Sequence, residues 1–394
     1  MTAPGPHDGV LTAASPQGVW AWVAVRLAPA AALDAHRGYA DVPEEQRRTQ
    51  AAGQELAWLE ALLASGPGIR FELRLRNDPS ARLLRGALLG QARGADHDAA
   101  VRAALALRDR LTAAPRHVRA EPVSDTDEVR DWLAPFTPHP DGLAELRKPL
   151  AHAPCARRDT GRTDSFAVSP LRWAAHSREP FWAELGRLPY PAVAGVCLEP
   201  YTVPQDVRHA FRALADEYAR LAAPGPVRPT WNVAAPPDVF AGQALPLLQD
   251  AVRRYAGRAY RSRVSLACAE ALPPGLAEQF AAAAGGAVVC RPPAREWAAA
   301  WANTAGLNRN RLPLTYAQGA PAHALNPVEW LLTDLLDASE AAAAFRLPYE
   351  VPGHHPLFAA PGRVPGPRPA EPGPAPARQP VPPGGDPGAP RFDG

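Results

Sequence analysis

The chain has 394 residues, enough for about two domains on the usual scale of about 100–200 residues each. Its charge is nearly balanced, +2 at pH 7, which gives no global field for nucleic acid or an anionic membrane. No apolar run reaches the roughly 18 residues that span a bilayer, and Met1–Gly18 lacks the basic start and apolar core of a signal peptide, so a cytoplasmic chain without membrane insertion is expected.

Two compositional details bear on chemistry. Lys148 is the only lysine among 42 basic residues, so Arg richness is discounted here as a sign of phosphate binding. The four cysteines, Cys155, Cys197, Cys268 and Cys290, are scattered, mostly in apolar surroundings, and read as buried free thiols.

Residues 1–15 read as a flexible N-terminus, and Val19–Leu27 as a buried strand. Glu44–Ala64 is expected to be a helix, with acidic residues in its first turn and Gly66 just past its end. The run Ile69-Arg70-Phe71-Glu72-Leu73-Arg74-Leu75-Arg76 alternates apolar and charged residues. On a strand, the odd set faces a core and the even set faces water. A turn at Asn77-Asp78-Pro79-Ser80 leads to a second strand, Leu83–Ala92. Asp96 can cap a helix to about Leu111, with Val101, Ala104, Leu107 and Leu111 on one face. His117–Val123 reads as a short strand, and Asp125–Leu133 as a short helix ending before Pro135. Strand, helix, strand, strand, helix, strand is the split βαβ, or ferredoxin-like, pattern, here over residues 16–136.

Residues 137–190, with several prolines and the polar patch 156–164, read as an irregular crossing segment. A second α/β module is expected over 191–350. It opens on Ala192–Leu198, followed by the amphipathic helix Gln205–Leu221 with Val207, Phe211, Leu214, Tyr218 and Leu221 on one stripe. A helical stretch from Asp238 to Tyr255 should bend at Pro246. Strand Arg263–Cys268, helix Pro274–Ala284, strand Ala287–Arg291, a helix carrying Trp297 and Trp301, and the helices Pro327–Leu336 and Ala338–Phe345 follow. The expected fold class is therefore α/β (α+β), two sheet-and-helix modules. A Pro/Gly-rich tail over 351–394 has too little to bury to offset its ordering entropy and reads as disordered.

The familiar catalytic motifs are missing. A Walker A loop needs Lys followed by Ser or Thr, and Lys148 is followed by Pro149. The sequence holds no Gly-x-Ser-x-Gly elbow, no His-Glu-x-x-His and no Cys-x-x-Cys. His354-His355 lies in a loop and reads as solvated, while Asp96 and Asp206 sit where helix capping explains them. No catalytic residue, cofactor or metal ligand is therefore assigned. The one candidate interaction surface is Trp297 and Trp301 beside Asn308, Arg309, Asn310 and Arg311, since aromatic faces and Arg forks suit base stacking and phosphate contacts. The competing reading makes the tryptophans core and the polar loop merely exposed.

Five short runs occur together: Arg70-Phe71-Glu72-Leu73-Arg74, Asp131-Trp132-Leu133-Ala134-Pro135-Phe136, Ala144-Glu145-Leu146-Arg147-Lys148-Pro149, Val196-Cys197-Leu198-Glu199-Pro200 and Ala344-Phe345-Arg346-Leu347-Pro348. In this order and spacing they resemble the N-terminal, pre-motor region of bacterial HerA-like and conjugation-type ATPases, over about residues 15 to 350. In that family a Phe-Arg-Leu-Pro-like run closes the region before the motor, whereas here only the Pro/Gly tail follows. The resemblance implies a non-catalytic adaptor or scaffold for a separately encoded HerA/FtsK-like ATPase, in DNA translocation, transfer or defence. The alternative partner is nucleic acid, held weakly through the Trp297–Arg311 surface.

Overall fold

The structure is a computed structural model, and it describes residues 9–359 except positions 17, 30–31, 158, 173–177, 229–232, 352 and 354. Residues 1–8, His354 and the tail from 360 lie outside the described residues.

The chain opens with an antiparallel hairpin of β1 (Leu11–Ser15) and β2 (Gly18–Pro29), so the segment expected to be flexible is a strand from Leu11 onward. Then come α1 (Glu44–Leu63), β3 (Ile69–Asp78), β4 (Leu83–Gly94), α2 (His97–Thr112), β5 (Val118–Pro122) and α3 (Thr126–Leu133). Asp96 and Asp125 cap α2 and α3, their carboxylates accepting from the backbone N–H groups of Ala99 and Asp127. The strands lie in the order β5-β2-β4-β3 with every neighbour antiparallel. Leucines of α1 and α2 pack on one face, beside Phe71, Leu73 and Leu88. This is the ferredoxin-like arrangement that the sequence pattern implies.

The second half repeats it. Its elements are β6 (Leu143–Arg147), the hairpin β7 (Leu150–Pro154) and β8 (Asp164–Val168), α4 (Glu179–Arg187), β9 (Ala192–Thr202) and α5 (Gln205–Ala222). A two-residue ladder, β10 (Val227–Arg228) with β11 (Val233–Ala234), leads to α6 (Val239–Arg254), which runs through Pro246. β12 (Arg258–Cys268), α7 (Leu276–Ala283) and β13 (Val288–Cys290) follow. In the main sheet these strands lie in the order β13-β6-β12-β9, again antiparallel. Taken as β6, α4, β9, β12, α7, β13, they form a second split βαβ unit, with α5 and α6 inserted where the first unit has a tight turn. Residues 137–190 are therefore not merely an irregular crossing, because they supply a central strand and a covering helix. β6 escapes sequence reading because its five residues are too few to show a period, and Glu145 and Arg147 turn out to be buried with their apolar neighbours.

β3 and β9, the second strands of the two units, pair antiparallel from Phe71↔Leu198 to Arg76↔Val193 and fuse both units into one ten-stranded sheet. The last elements are α8 (Trp297–Gly306), α9 (Pro313–Ala317), α10 (Pro327–Asp334), β14 (Leu335–Leu336) and α11 (Ala338–Ala344). Capping boxes Asn326/Glu329 and Asp337/Glu340 start α10 and α11. No helix among the described residues is long and apolar enough to cross a membrane.

One face of the sheet is apolar and carries α1, α4, α7 and α11. At its centre Phe71 meets Tyr260 and Phe345 edge-on, with ring centroids 5.8 and 5.7 Å away. Past α11 the chain stays docked to Ala359. Phe358 is buried against Trp182, and Leu84 exchanges backbone hydrogen bonds with Leu357 and Ala359. The expected tail over 351–394 is thus part of the folded body up to residue 359.

Candidate functional site

The even positions of β3 do not all face water, contrary to the expectation from alternation. β3 lies between β4 and β9, and its second face is roofed by α3 and α8, so Glu72 and Arg74 are each 0% exposed. Opposed residues of antiparallel strands share a face, which sets charges in rows across the sheet. One row runs Gln91, Arg70, Glu199, Arg261, the next Glu72, Cys197, Arg263, and a third Arg74, Gly195, Ser265, Glu145.

These charges neutralise one another. Glu72 accepts from Arg74 Nε at 2.7 Å and also from Arg263. Glu145 accepts from Arg147 at 2.8 Å, and Asp334 accepts from both Arg147 and Arg309, at 3.1 and 3.3 Å. Glu199 accepts from Arg309 at 2.6 Å and pairs with Arg70 at 3.6 Å. Gly195 makes room for the row above it, since a Cβ there would stand 2.4 Å from Glu72 Oε1.

The remaining guanidinium donors reach helix ends. Arg74 donates to the carbonyls of Trp132 and Leu133 at 2.8 Å, at the end of α3, and to that of Thr304 in α8. Arg263 donates to the carbonyls of Asn303 and of Asn308, the latter at 2.7 Å, and Arg70 to that of Leu307 at 3.2 Å. The last carbonyls of a helix lack intrahelical partners and carry the negative end of its dipole, so cations beneath them are favourable. That is why a charged sheet face can be buried here.

Burial pushes Glu199 upward, but Arg309 and Arg70 outweigh it and hold the carboxyl below its ordinary range. Burial raises the thiols of Cys197 and Cys290 to about 11 and that of Cys268 to about 12, so none is an activated thiolate. Lys148 is buried as well. Its ammonium donates to Tyr255 Oη at 2.6 Å and the Leu335 carbonyl at 3.0 Å, and it lies 3.1 Å from Glu340. Three N–H groups thus meet three acceptors, which marks a structural knot with nothing left to donate.

The residues singled out from sequence divide. Trp297 and Trp301 pack on the cluster around Leu312 and Trp330, and Trp301 stacks on Phe136 with centroids 6.2 Å apart. Asn308, Arg309, Asn310 and Arg311 stay together. Asn308 supplies the carbonyl that holds Arg263, and Arg309 bridges Glu199 and Asp334 with its side chain 7% exposed. Asn303 brackets Asn310, accepting from its N–H at 2.7 Å and donating to its carbonyl at 3.0 Å. Arg311 is exposed and lies over the Trp330 ring at 5.8 Å. This loop forms one wall of a shallow open pocket, enclosing about 30 Å³, that is also lined by Arg147, Arg261 and Arg263. Those three were missed because they come from distant strands. Their only local signal, Arg261-Ser262-Arg263, was lost in a chain that uses arginine almost everywhere for positive charge.

The chain matches no known protein family, and no curated protein matches it. Among the described residues no group of three or more His, Cys, Asp or Glu is placed to hold a metal ion. What the site offers is a rigid array of guanidinium groups, most of them committed to internal partners and a few facing an opening.

Proposed function

We propose that the chain is a non-catalytic scaffold that docks a separately encoded HerA/FtsK-like ATPase, acting in the bacterial cytoplasm in DNA translocation, transfer or defence. The observation that carries this reading is the placement of Phe345–Pro348, the run that closes the pre-motor region in the ATPases the sequence resembles. Phe345 and Leu347 are 0% exposed in the main core, and Arg346 pairs with Glu55 at 2.7 Å. The run is therefore locked into the core of the folded body, as it would be ahead of a motor. The fused sheet adds support. It spends its charges on holding α3 and α8 in place, which suits a rigid platform.

The nucleic-acid reading has less support, because Trp297 and Trp301 pack inward and Arg309 is engaged by two carboxylates. The test is affinity purification of the full chain from its native host, with the co-eluting proteins identified by mass spectrometry. A near-stoichiometric HerA/FtsK-class ATPase is expected, together with no ATP turnover by the chain alone. Turnover that co-elutes with the isolated chain, or the absence of any such ATPase, overturns the reading.

A further inference from the structure

The pocket under the 308–311 loop has more positive charge than its surroundings answer. Glu72 takes Arg74 and Arg263, Glu145 takes Arg147, Glu199 takes Arg70 and Arg309, and Asp334 takes Arg147 and Arg309 again. Arg261 and Arg311 also line the pocket, and neither pairs with a carboxylate among the described residues. Seven guanidinium groups thus face four carboxylates, three in excess. The Nε atoms of Arg147, Arg261 and Arg263 are all buried with no hydrogen-bond acceptor. These Nε atoms are closed to solvent, so a ligand in the opening would meet the terminal guanidinium nitrogens instead.

We infer that this pocket binds the phosphoryl group of a small molecule, with Arg261 and Arg311 as its principal ligands. This goes beyond the scaffold role and does not depend on it. The guanidinium fork matches a phosphoryl group through paired, charge-assisted hydrogen bonds. An excess of three charges suits a polyvalent anion better than a single carboxylate. Burial and the charge of Arg309 lower the proton affinity of Arg261, while Glu199 and Asp334 act in the opposite direction. The enclosed space is only about 30 Å³, so the site is a shallow, open one that takes a single small anionic group at its mouth. The loop above is pinned by Asn303 and by the two carboxylates on Arg309, so the opening has a fixed wall.

The test is calorimetry on the full chain with orthophosphate, pyrophosphate and acetate at constant ionic strength, and with a single-stranded oligonucleotide. Saturable one-to-one binding of a phosphate species, with acetate silent, is expected. Arg261→Gln with Arg311→Gln should weaken it at least about tenfold, the loss expected when charge-assisted hydrogen bonds to the anion are removed. Arg253→Gln, an exposed change on α6, should leave it unaltered. If Arg261→Gln does not fold, Arg311→Gln alone must still weaken binding, since Arg311 is exposed and holds no element in place. No binding at millimolar phosphate, equal binding of acetate, an affinity unmoved by the Arg changes, or binding of the oligonucleotide alone would each overturn the assignment.

Discussion

Replacing Arg74 with methionine asks whether the charged face of β3 is interior. The Arg74 side chain is 1% exposed, and its donors serve Glu72, the Trp132 and Leu133 carbonyls and the Thr304 carbonyl. Methionine keeps much of the volume and removes every donor. Each carbonyl left buried without a partner costs about 1–3 kcal/mol. Glu72 retains Arg263, so it is not stranded, but it loses one of its two countercharges. The expected cost is about 3–5 kcal/mol, the range for removing one member of a buried pair. Phe71→Ala, on the opposite face of the same strand, should cost a similar amount, about 3–5 kcal/mol, through lost transfer energy and a cavity. Arg102→Met, on the exposed side of α2, should stay within about 0.5 kcal/mol of the parent. Urea unfolding followed by circular dichroism, with a common slope, measures all three. If Arg74→Met behaves like Arg102→Met while Phe71→Ala costs several kcal/mol, the face is solvated and α3 and α8 do not roof it.

Two further outcomes follow from the same rows of charge. Gly195→Ala should destabilise by about 1–3 kcal/mol because its methyl group meets the Glu72 carboxylate, and by clearly less in a Glu72→Ala background, since the two positions are coupled; additive effects in the unfolding curves would mean they do not touch. Because Glu199 titrates below its ordinary value in the folded chain, the unfolded carboxyl takes its proton first, so its contribution is whole above about pH 4.5 and is lost as pH falls through the lower folded value. Thermal melts across that acid window should give a flatter stability curve for Glu199→Gln than for the parent, and parallel curves would remove Arg309 and Arg70 as the cause.

What the sequence discloses is what local patterning encodes. The helices α1, α2, α3 and α5 announce themselves through caps and apolar stripes, and the first ferredoxin-like unit follows from their order. The second unit hides, because the α5–α6 insertion separates β9 from β12 and β6 is too short to show a period. Alternation along β3 is genuine, yet it reads the same whether the charged side meets water or helix ends. Only Arg263, Thr304 and Trp132, all remote in the chain, decide between them. The same holds for the pocket. Asn308–Arg311 stands out as a polar loop, while the arginines opposite arrive from β6 and β12. The four-residue spacing of Trp297 and Trp301 puts both on one helix face but says nothing of what that face meets.

The knot around Lys148 has a practical side. It is the chain's only side-chain amine, 4% exposed, with its N–H groups committed to Tyr255, Leu335 and Glu340. Acylating dyes and amine-directed cross-linkers will therefore find no accessible side-chain amine on the folded protein. Label on Lys148 should appear only when the body opens, which makes its stoichiometry a count of unfolded molecules. Partners held by the folded sheet will escape cross-linking through this lysine, and fixing such a complex calls for carboxylate- or guanidinium-directed reagents instead.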